Sequence, residues 1–385
     1  MTRPSLSFFV GSALALGACT SSPSTSPPIV GVDGASLAGT LEVVVIDEES
    51  REPIVGARVA IGDASATTDA SGHASLSAGT GSVTLDVTHA GYVTEHWIGV
   101  DRARAVVGLS APLEAHALSG TITGGTADTI VSAATTLSIL RVTSLDATTS
   151  ACAGGACSVS VSVELQAPRL DLVLVEGSTA HLATGIPIAQ EAFSVDLPSL
   201  AASERLVTLD VTLPSAPGLE AVVGVPGIAT SAGVAILPSS PTGASLLAPA
   251  REGPLQGARL WYVARATSAD ESGETVVFDR EVGADLHVSL PSSFLAIPSA
   301  TASGTIGIDV DPEVDLYVVE AYAGASVERT LVLRPSGPHL DLPIDLAAAS
   351  GVAVRAIDTD GASSEGAIDL DAVEAQATRI ATLRF

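Results

Sequence analysis

Three cysteines, seven histidines and 43 carboxylates are the residues of this 385-residue chain whose types could do chemistry. The histidines are His73, His89, His96, His116, His181, His287 and His339. None has a second His three or four residues away and none is followed by Glu, so the helical zinc-protease pattern is missing. His89 and His96 flank Gly91-Tyr92 and could meet across a hairpin to hold a metal, but two edge-strand histidines are the simpler reading. Acidic clusters stand at Asp47-Glu48-Glu49, at Asp309 to Asp315, and at Asp358-Thr359-Asp360-Gly361 with Glu365. With Gly361 at the sixth position of a calcium loop of the EF-hand type, Ala356 falls at the first and Ala367 at the twelfth, where ligands are required. Solvated acidic turns are the default, and an interdomain calcium site without a motif is the sharper alternative. No nucleophile elbow, phosphate loop or dinucleotide fingerprint occurs. The expectation is no catalytic residue, no metal ligand set and no cofactor: not an enzyme.

The cysteines divide into two kinds. Cys152 and Cys157 lie in Cys-Ala-Gly-Gly-Ala-Cys between two strand-like runs, where Gly154-Gly155 supplies the dihedrals a hairpin tip needs. They are expected to form a structural disulfide, worth about 2 kcal/mol by loop closure. Redox-active pairs usually have two residues between them, at a helix start. Cys19 instead ends an N-terminal segment with the order of a signal peptide: Arg3, an apolar run from Leu6 to Leu16, then small residues. That run is too short for a membrane-crossing helix, which needs about 20 residues.

Leu16-Gly17-Ala18-Cys19 resembles the lipobox of bacterial lipoproteins. The resemblance implies removal of residues 1–18, lipidation of Cys19 and a membrane partner through that lipid; the alternative is an ordinary cleaved signal with a chance cysteine. Thr20, where an inner-membrane lipoprotein tends to carry Asp, implies the outer membrane, on its periplasmic or its surface face. Residues 19–36 then form the lipidated start and a disordered tether, since Thr20 to Pro28 holds only Ser, Thr and Pro and cannot bury apolar area.

A formal net charge of −26 argues against nucleic acid as a partner and predicts repulsion from anionic headgroups. All basic side chains other than His are Arg, and the chain has no Lys and no Asn. The bland explanation is a GC-rich genome. Aromatic residues make up 3% against 46% hydrophobic residues overall, so the cores must be packed with Val, Leu, Ile and Ala. Few aromatics are left for a sugar-stacking platform; Trp97 is the best candidate, while Trp261 and Tyr262 sit inside an apolar strand.

Strand signals dominate. Leu41 to Ile46, Val83 to Val87, Ser158 to Leu165, Leu170 to Val175, Leu206 to Leu213, Leu260 to Ala266, Leu316 to Val319 and Val352 to Ile357 are short, rich in Val, Leu and Thr, and punctuated by Gly, Pro, Ser and Asp. Only Pro198 to Arg205 and Asp369 to Ala377 could make two turns of helix, and both read better as connections. Ser119-Gly120-Thr121-Ile122 and Ser303-Gly304-Thr305-Ile306 each stand where a first strand would begin, and Pro238 to Pro254 reads as a long loop or linker. Phe385 ends the chain as outer-membrane barrel strands often end, yet Arg379 would then face lipid and aromatic girdles are lacking, which argues against a barrel.

Strand Leu41 to Asp47, Pro53-Ile54-Val55-Gly56-Ala57-Arg58-Val59, Thr68-Asp69-Ala70-Ser71-Gly72 and Gly91-Tyr92, in that order, resemble the carboxypeptidase regulatory-like domain, a transthyretin-like sandwich, over residues 37–114. Such domains are usually accessory modules, and no catalytic residue comes with the motif. Residues 295–385, with Asp315 to Tyr322 as a central strand and Val352 to Asp358 before the turn Asp360-Gly361, resemble a fibronectin type III-like sandwich that lacks the family's early Trp. Residues 115–294 are expected to form a middle β-sandwich region carrying the disulfide hairpin. The expectation is an all-β chain of tandem sandwiches at the outer membrane, serving non-catalytic contact with an envelope protein. The alternatives are a small-ligand or carbohydrate-binding lipoprotein and an envelope enzyme of unrecognised type.

Overall fold

The structure is a computed structural model that describes residues 28–112, 114–126, 129–135, 149–151, 157–165, 169–177, 179–203, 206–216, 218–219, 221–230, 233–237, 246–249, 255, 258–282, 285, 287–302, 306–323, 326–335, 337–342, 349–359 and 367–385. Its fold is all-β. Strands form in every run that the alternation of Val, Leu and Thr predicts to be extended, although the one expected over Leu206 to Leu213 ends at Val211.

The first strands are β1 (Gly31–Ser36), β2 (Ala38–Asp47), β3 (Arg58–Ile61), β4 (Ala64–Thr67), β5 (His73–Thr80), β6 (Val83–Thr88), β7 (Thr94–Val100) and β8 (Arg102–Leu109). On β2 every second side chain, Leu41, Val43 and Val45, is fully buried, as period-two patterning requires. β1, β8, β2 and β5 lie side by side in one sheet, and β4, β3, β6 and β7 in another. Thr68 ties the turn between them: its hydroxyl donates to the Ile54 carbonyl at 2.7 Å and accepts from the Ala57 amide at 2.9 Å.

The middle strands begin with β9 (Glu114–Thr123), β10 (Ile130–Thr135), β11 (Thr149–Ala151), β12 (Cys157–Leu165), β13 (Arg169–Glu176), β14 (Thr179–Pro187), β15 (Ala192–Asp196) and β16 (Ala202–Ser203). The β12-β9-β15 sheet packs on β10, β13 and β14 through Leu118, Ile122, Val159, Leu172, Leu174 and Phe193, among others. Gly120 is the floor of this core. A Cβ there would stand 2.1 Å from the Phe193 ring, so the one aromatic of the layer fits because its neighbour has no side chain.

β17 (Leu206–Val211), β18 (Ala221–Thr230), β19 (Gly233–Ile236), β20 (Leu246–Pro249), β21 (Arg259–Thr267), β22 (Gly273–Asp279) and β23 (His287–Val288) follow. Here the β20-β17-β23 sheet covers one face of β18, β21 and β22 around the buried Tyr262. The chain ends with β24 (Ala300–Ala302), β25 (Ile306–Asp309), β26 (Leu316–Ala323), β27 (Ser326–Val332), β28 (His339–Leu342), β29 (Gly351–Asp358), β30 (Ile368–Asp369), helix α1 (Leu370–Gln376) and β31 (Arg379–Arg384). The β24-β25-β28 sheet packs on β26, β29 and β31 through Ile306, Ile308, Tyr317, Val319 and Val354.

These layers share one long sheet. β7 pairs in parallel with β27, and pairing continues through β26, β29, β31, β22, β21, β18 and β19 to β10. One core accordingly holds Leu41, Val45 and Trp97 from the first strands together with Leu331, Ile357, Val276 and Trp261 from later ones. The pairing thus joins stretches that the sequence assigns to separate sandwiches. β30 also adds to the edge of β1, with Gly31 opposite Asp369, so residues 31–36, expected to belong to a disordered tether, form a paired strand because their backbone finds partners on both sides.

The segment Asp369 to Ala377 is a helix over Leu370–Gln376 and not merely a connection. Its stop and start are local: the Asp369 side chain accepts from the Ala372 amide at 2.9 Å, capping the first turn, while Leu370 and Val373 enter the shared core on one face. Of Pro198 to Arg205, only the single 3-10 turn Leu197–Ser199 is helical among the described residues. Ser303-Gly304-Thr305 lies outside the described residues, as does most of Pro238 to Pro254.

Replacing Gly120 by Ala should displace Phe193 and lower the unfolding free energy by about 1–3 kcal/mol, the usual range for overpacking a core. Urea unfolding of the two proteins side by side measures this, and an unchanged midpoint would contradict the packing described.

Candidate functional site

Of the residues singled out for chemistry, Cys19 and Cys152 lie outside the described residues. Cys157 opens β12, buried against the middle core and in register with Ile122. Trp97, the expected platform, is 1% exposed: it fills the shared core and its indole N–H donates to Glu95 Oε2 at 3.3 Å, so it offers no face for stacking. His89 does not meet His96. It packs edge-on against the Tyr92 ring with centroids 5.4 Å apart, whereas His96 Nδ1 lies 2.7 Å from Asp86 Oδ1 on the neighbouring strand β6.

Described members of the acidic clusters are engaged by the fold, while Asp360, Gly361 and Glu365 lie outside the described residues. Asp47 accepts from the Ser50 amide and hydroxyl and, through its other oxygen, from the Tyr92 hydroxyl at 3.0 Å, which closes the β2–β3 turn. Asp358 and Glu313 both bind Arg379, at 2.7 and 2.8 Å. Asp315 receives the Thr359 amide and hydroxyl. Among the described residues no group of three or more His, Cys, Asp or Glu is placed to hold a metal ion.

The most unusual constellation is one the sequence reading missed: a row of buried and half-buried charges along one face of the long sheet. Glu95 is 0% exposed and sits in register with Arg329, itself 3% exposed, across the β7–β27 pairing. Arg329 Nε donates to Glu95 Oε1 at 2.7 Å, and its Nη2 lies 3.7 Å from Glu48 on the loop after β2. Arg329 is also in register with Glu320 on β26, and the Glu320 carboxylate accepts the Tyr322 hydroxyl at 2.7 Å. Arg355 on β29 is buried beside them. Farther along, Glu274 on β22 lies 3.1 Å from Arg265 on β21 and 3.4 Å from Arg384 on β31.

Register explains the shared face. Residues directly opposite each other in a ladder point the same way, and Glu95, Arg329, Glu320, Arg355, Thr382, Glu274 and Arg265 each occupy the parity of an apolar residue in the shared core on the same strand. A trace was present in the sequence: a single charge interrupts otherwise apolar runs such as Leu316 to Ala323. Sequence alone does not show that these charges fall on adjacent strands.

Electrostatics follow from burial. Loss of water pushes the Glu95 carboxyl up to about 7, and Glu48 pushes the same way, against Arg329 and the indole N–H. Burial draws Arg355 down to about 10, helped by Arg384, while Glu320 opposes. For Arg329 the neighbouring carboxylates, Glu95 first, outweigh burial and hold the guanidinium charged. Beside the helix, Arg280 stacks over Trp261, 5.0 Å from the ring centroid, and donates to the Glu374 carbonyl near the C-terminus of α1. Arg51, held at φ 60°, reaches Asp371 of α1 at 2.6 Å. Loop, helix and row are thus fastened together by charge, and the chemistry this arrangement performs is neutralisation inside a core.

Replacing Arg329 by Met would leave Glu95 and Glu48 without their shared counter-charge and should lower the unfolding free energy by about 3–5 kcal/mol. Removing the exposed Asp33, which pairs with Arg104 at 3.0 Å, should cost only about 0–1 kcal/mol. Denaturant titration of both variants compares them directly. The hydrogen bond to Asp86 holds His96 above its ordinary 6.5, with Glu328 and Glu95 adding to it and partial burial opposing. A raised value in the folded state stabilises fully below the unfolded pKa and loses that contribution as pH rises through the folded one. Melting temperature should therefore gain less on going from pH 8 to pH 6 in His96→Gln than in the parent; equal gains would exclude His96 as the source. Searches against protein-family models and against curated proteins give no match to this chain.

Proposed function

We propose that this chain is a lipid-anchored envelope protein of a bacterium, held at the outer membrane through Cys19, whose β-sandwiches serve non-catalytic contact with another envelope protein. The observation that carries the reading is the order of the first residues: a charged start, a short apolar run, Leu16-Gly17-Ala18-Cys19, and then a stretch of Ser, Thr and Pro ahead of the first strand at Gly31. Two or more acyl chains at the cysteine would make attachment stable, where one would leave it reversible. In this reading residues 37–114 are carboxypeptidase regulatory-like, residues 295–385 fibronectin type III-like, and Cys152 and Cys157 form a structural bridge.

Three observations favour contact over chemistry. Charges of the long sheet meet opposite charges on neighbouring strands, Arg329 with Glu95 and Arg265 with Glu274, so these groups serve the fold. The candidate sugar platform, Trp97, is buried. Short peripheral sheets such as β12-β9-β15 present strands at their rims, and strand edges are a common docking mode for an extended partner segment.

Replacing Cys19 by Ala should move the protein from the membrane fraction to the soluble envelope fraction, read by fractionation and by loss of labelling with a fatty-acid probe. Retention in the membrane fraction with no fatty-acid label in the parent would end the anchor reading. In-cell crosslinking of the lipidated parent should then recover one dominant envelope protein; a background-level result would turn the search toward small ligands.

A further inference from the structure

The charges of the buried row alternate in sign along most of their length. From the first sandwich outward they run Glu95 on β7, Arg329 on β27, Glu320 on β26 and Arg355 on β29; past Thr382 on β31 they resume with Glu274 on β22 and Arg265 on β21. Arg384, two residues beyond Thr382, leans to Glu274. On each of these strands the same face also carries an apolar residue of the shared core: Trp97, Leu331, Val318, Ile357, Val276 or Val263.

That composition creates a problem of identity. Core residues are overwhelmingly Val, Leu, Ile and Ala. A slip of two residues between β7 and β27 would keep every side chain on its own face, and on the shared face it would set Trp97 opposite Leu333 instead of Leu331. Apolar burial on this face therefore penalises such a slip only weakly. The charges penalise it heavily: a two-residue slip places Leu331 opposite Glu95 and leaves a buried carboxylate and a buried guanidinium without each other. Wrong neighbours are rejected in the same way, because a strand bearing Glu on this face cannot lie against another bearing Glu at the same level.

We propose that the row is a pairing code, which selects strand neighbours and their register where the first sandwich joins the rest of the chain. Its role is specificity and not net stability. A matched apolar pair could hold β7 and β27 together as firmly, but it would not hold them in one register.

Hydrogen–deuterium exchange of the full chain, read by mass spectrometry, tests this with Glu95→Leu/Arg329→Leu, which removes both charges, and Glu95→Gln/Arg329→Gln, which removes both charges and leaves two polar side chains that can still hydrogen-bond. In both variants, peptides covering β7 and β27 should exchange about tenfold faster than in the parent, while peptides covering β13 and β14, remote from the row, keep parental rates. Parental rates over β7 and β27 in either variant would overturn the proposal. So would acceleration spread evenly over the molecule, since that is the signature of a purely stabilising pair. If the leucine variant does not fold, the glutamine variant decides by the same two readings.

Discussion

The parallel pairing of β7 with β27, with Glu95 against Arg329 at its centre, is the constraint on which the architecture rests. It joins residues 234 apart in sequence and converts two separate sheets into one. Once β27 lies beside β7, the faces of β26, β29, β31 and β22 are continuous with that of β7, and the β1-β8-β2-β5 sheet has a surface broad enough to cover. The ion pair also sets where α1 must stand. Glu48 reaches Arg329 from the loop after β2, and Arg51 of the same loop reaches Asp371 of the helix.

A core with few aromatics has a particular mechanics. Aliphatic side chains of similar volume interlock at many positions with similar energy, so shape alone specifies a unique arrangement poorly. The few large rings are accordingly given fixed places. Phe193 lies over Gly120, Trp97 is pinned by Glu95, and Trp261 is sandwiched between the shared core and Arg280. Each ring has a partner that no aliphatic residue could replace; Phe193 lies in the middle core, and Trp97 and Trp261 both lie in the shared one.

Much of the class was legible in the sequence, for a physical reason. Runs such as Leu170 to Val175 and Val352 to Ile357 have the β-branched content of strands buried on both faces, and they are so buried. The helix was harder to see because its signal is one cap, Asp369, and one i, i+3 pair, Leu370 with Val373, within seven residues. The choice of neighbours could not be read at all. Nothing in Thr94 to Val100 announces a parallel partner in Ser326 to Val332, because pairing depends on register between distant strands and not on local propensity. The charged row could not be assembled for the same cause: each charge leaves only a local trace in its own run, its members are scattered from Glu95 to Arg384, and only the ladder makes them adjacent. The segment with the sharpest chemical reading, around Cys19, is local in sequence and needs no fold to be recognised.

Gly31 adds a mechanical consequence. The first strand is clasped between β8 on one side and β30 on the other, so closely that a Cβ on Gly31 would stand 1.9 Å from the Ile368 carbonyl oxygen, and the Leu370 amide donates to the Val30 carbonyl at 2.8 Å. Any tension arriving from the residues before Pro28 enters the body at this clasp. It is divided at once between a strand of the first sandwich and the segment that leads into the helix, so a pull on one end of the chain is carried by both.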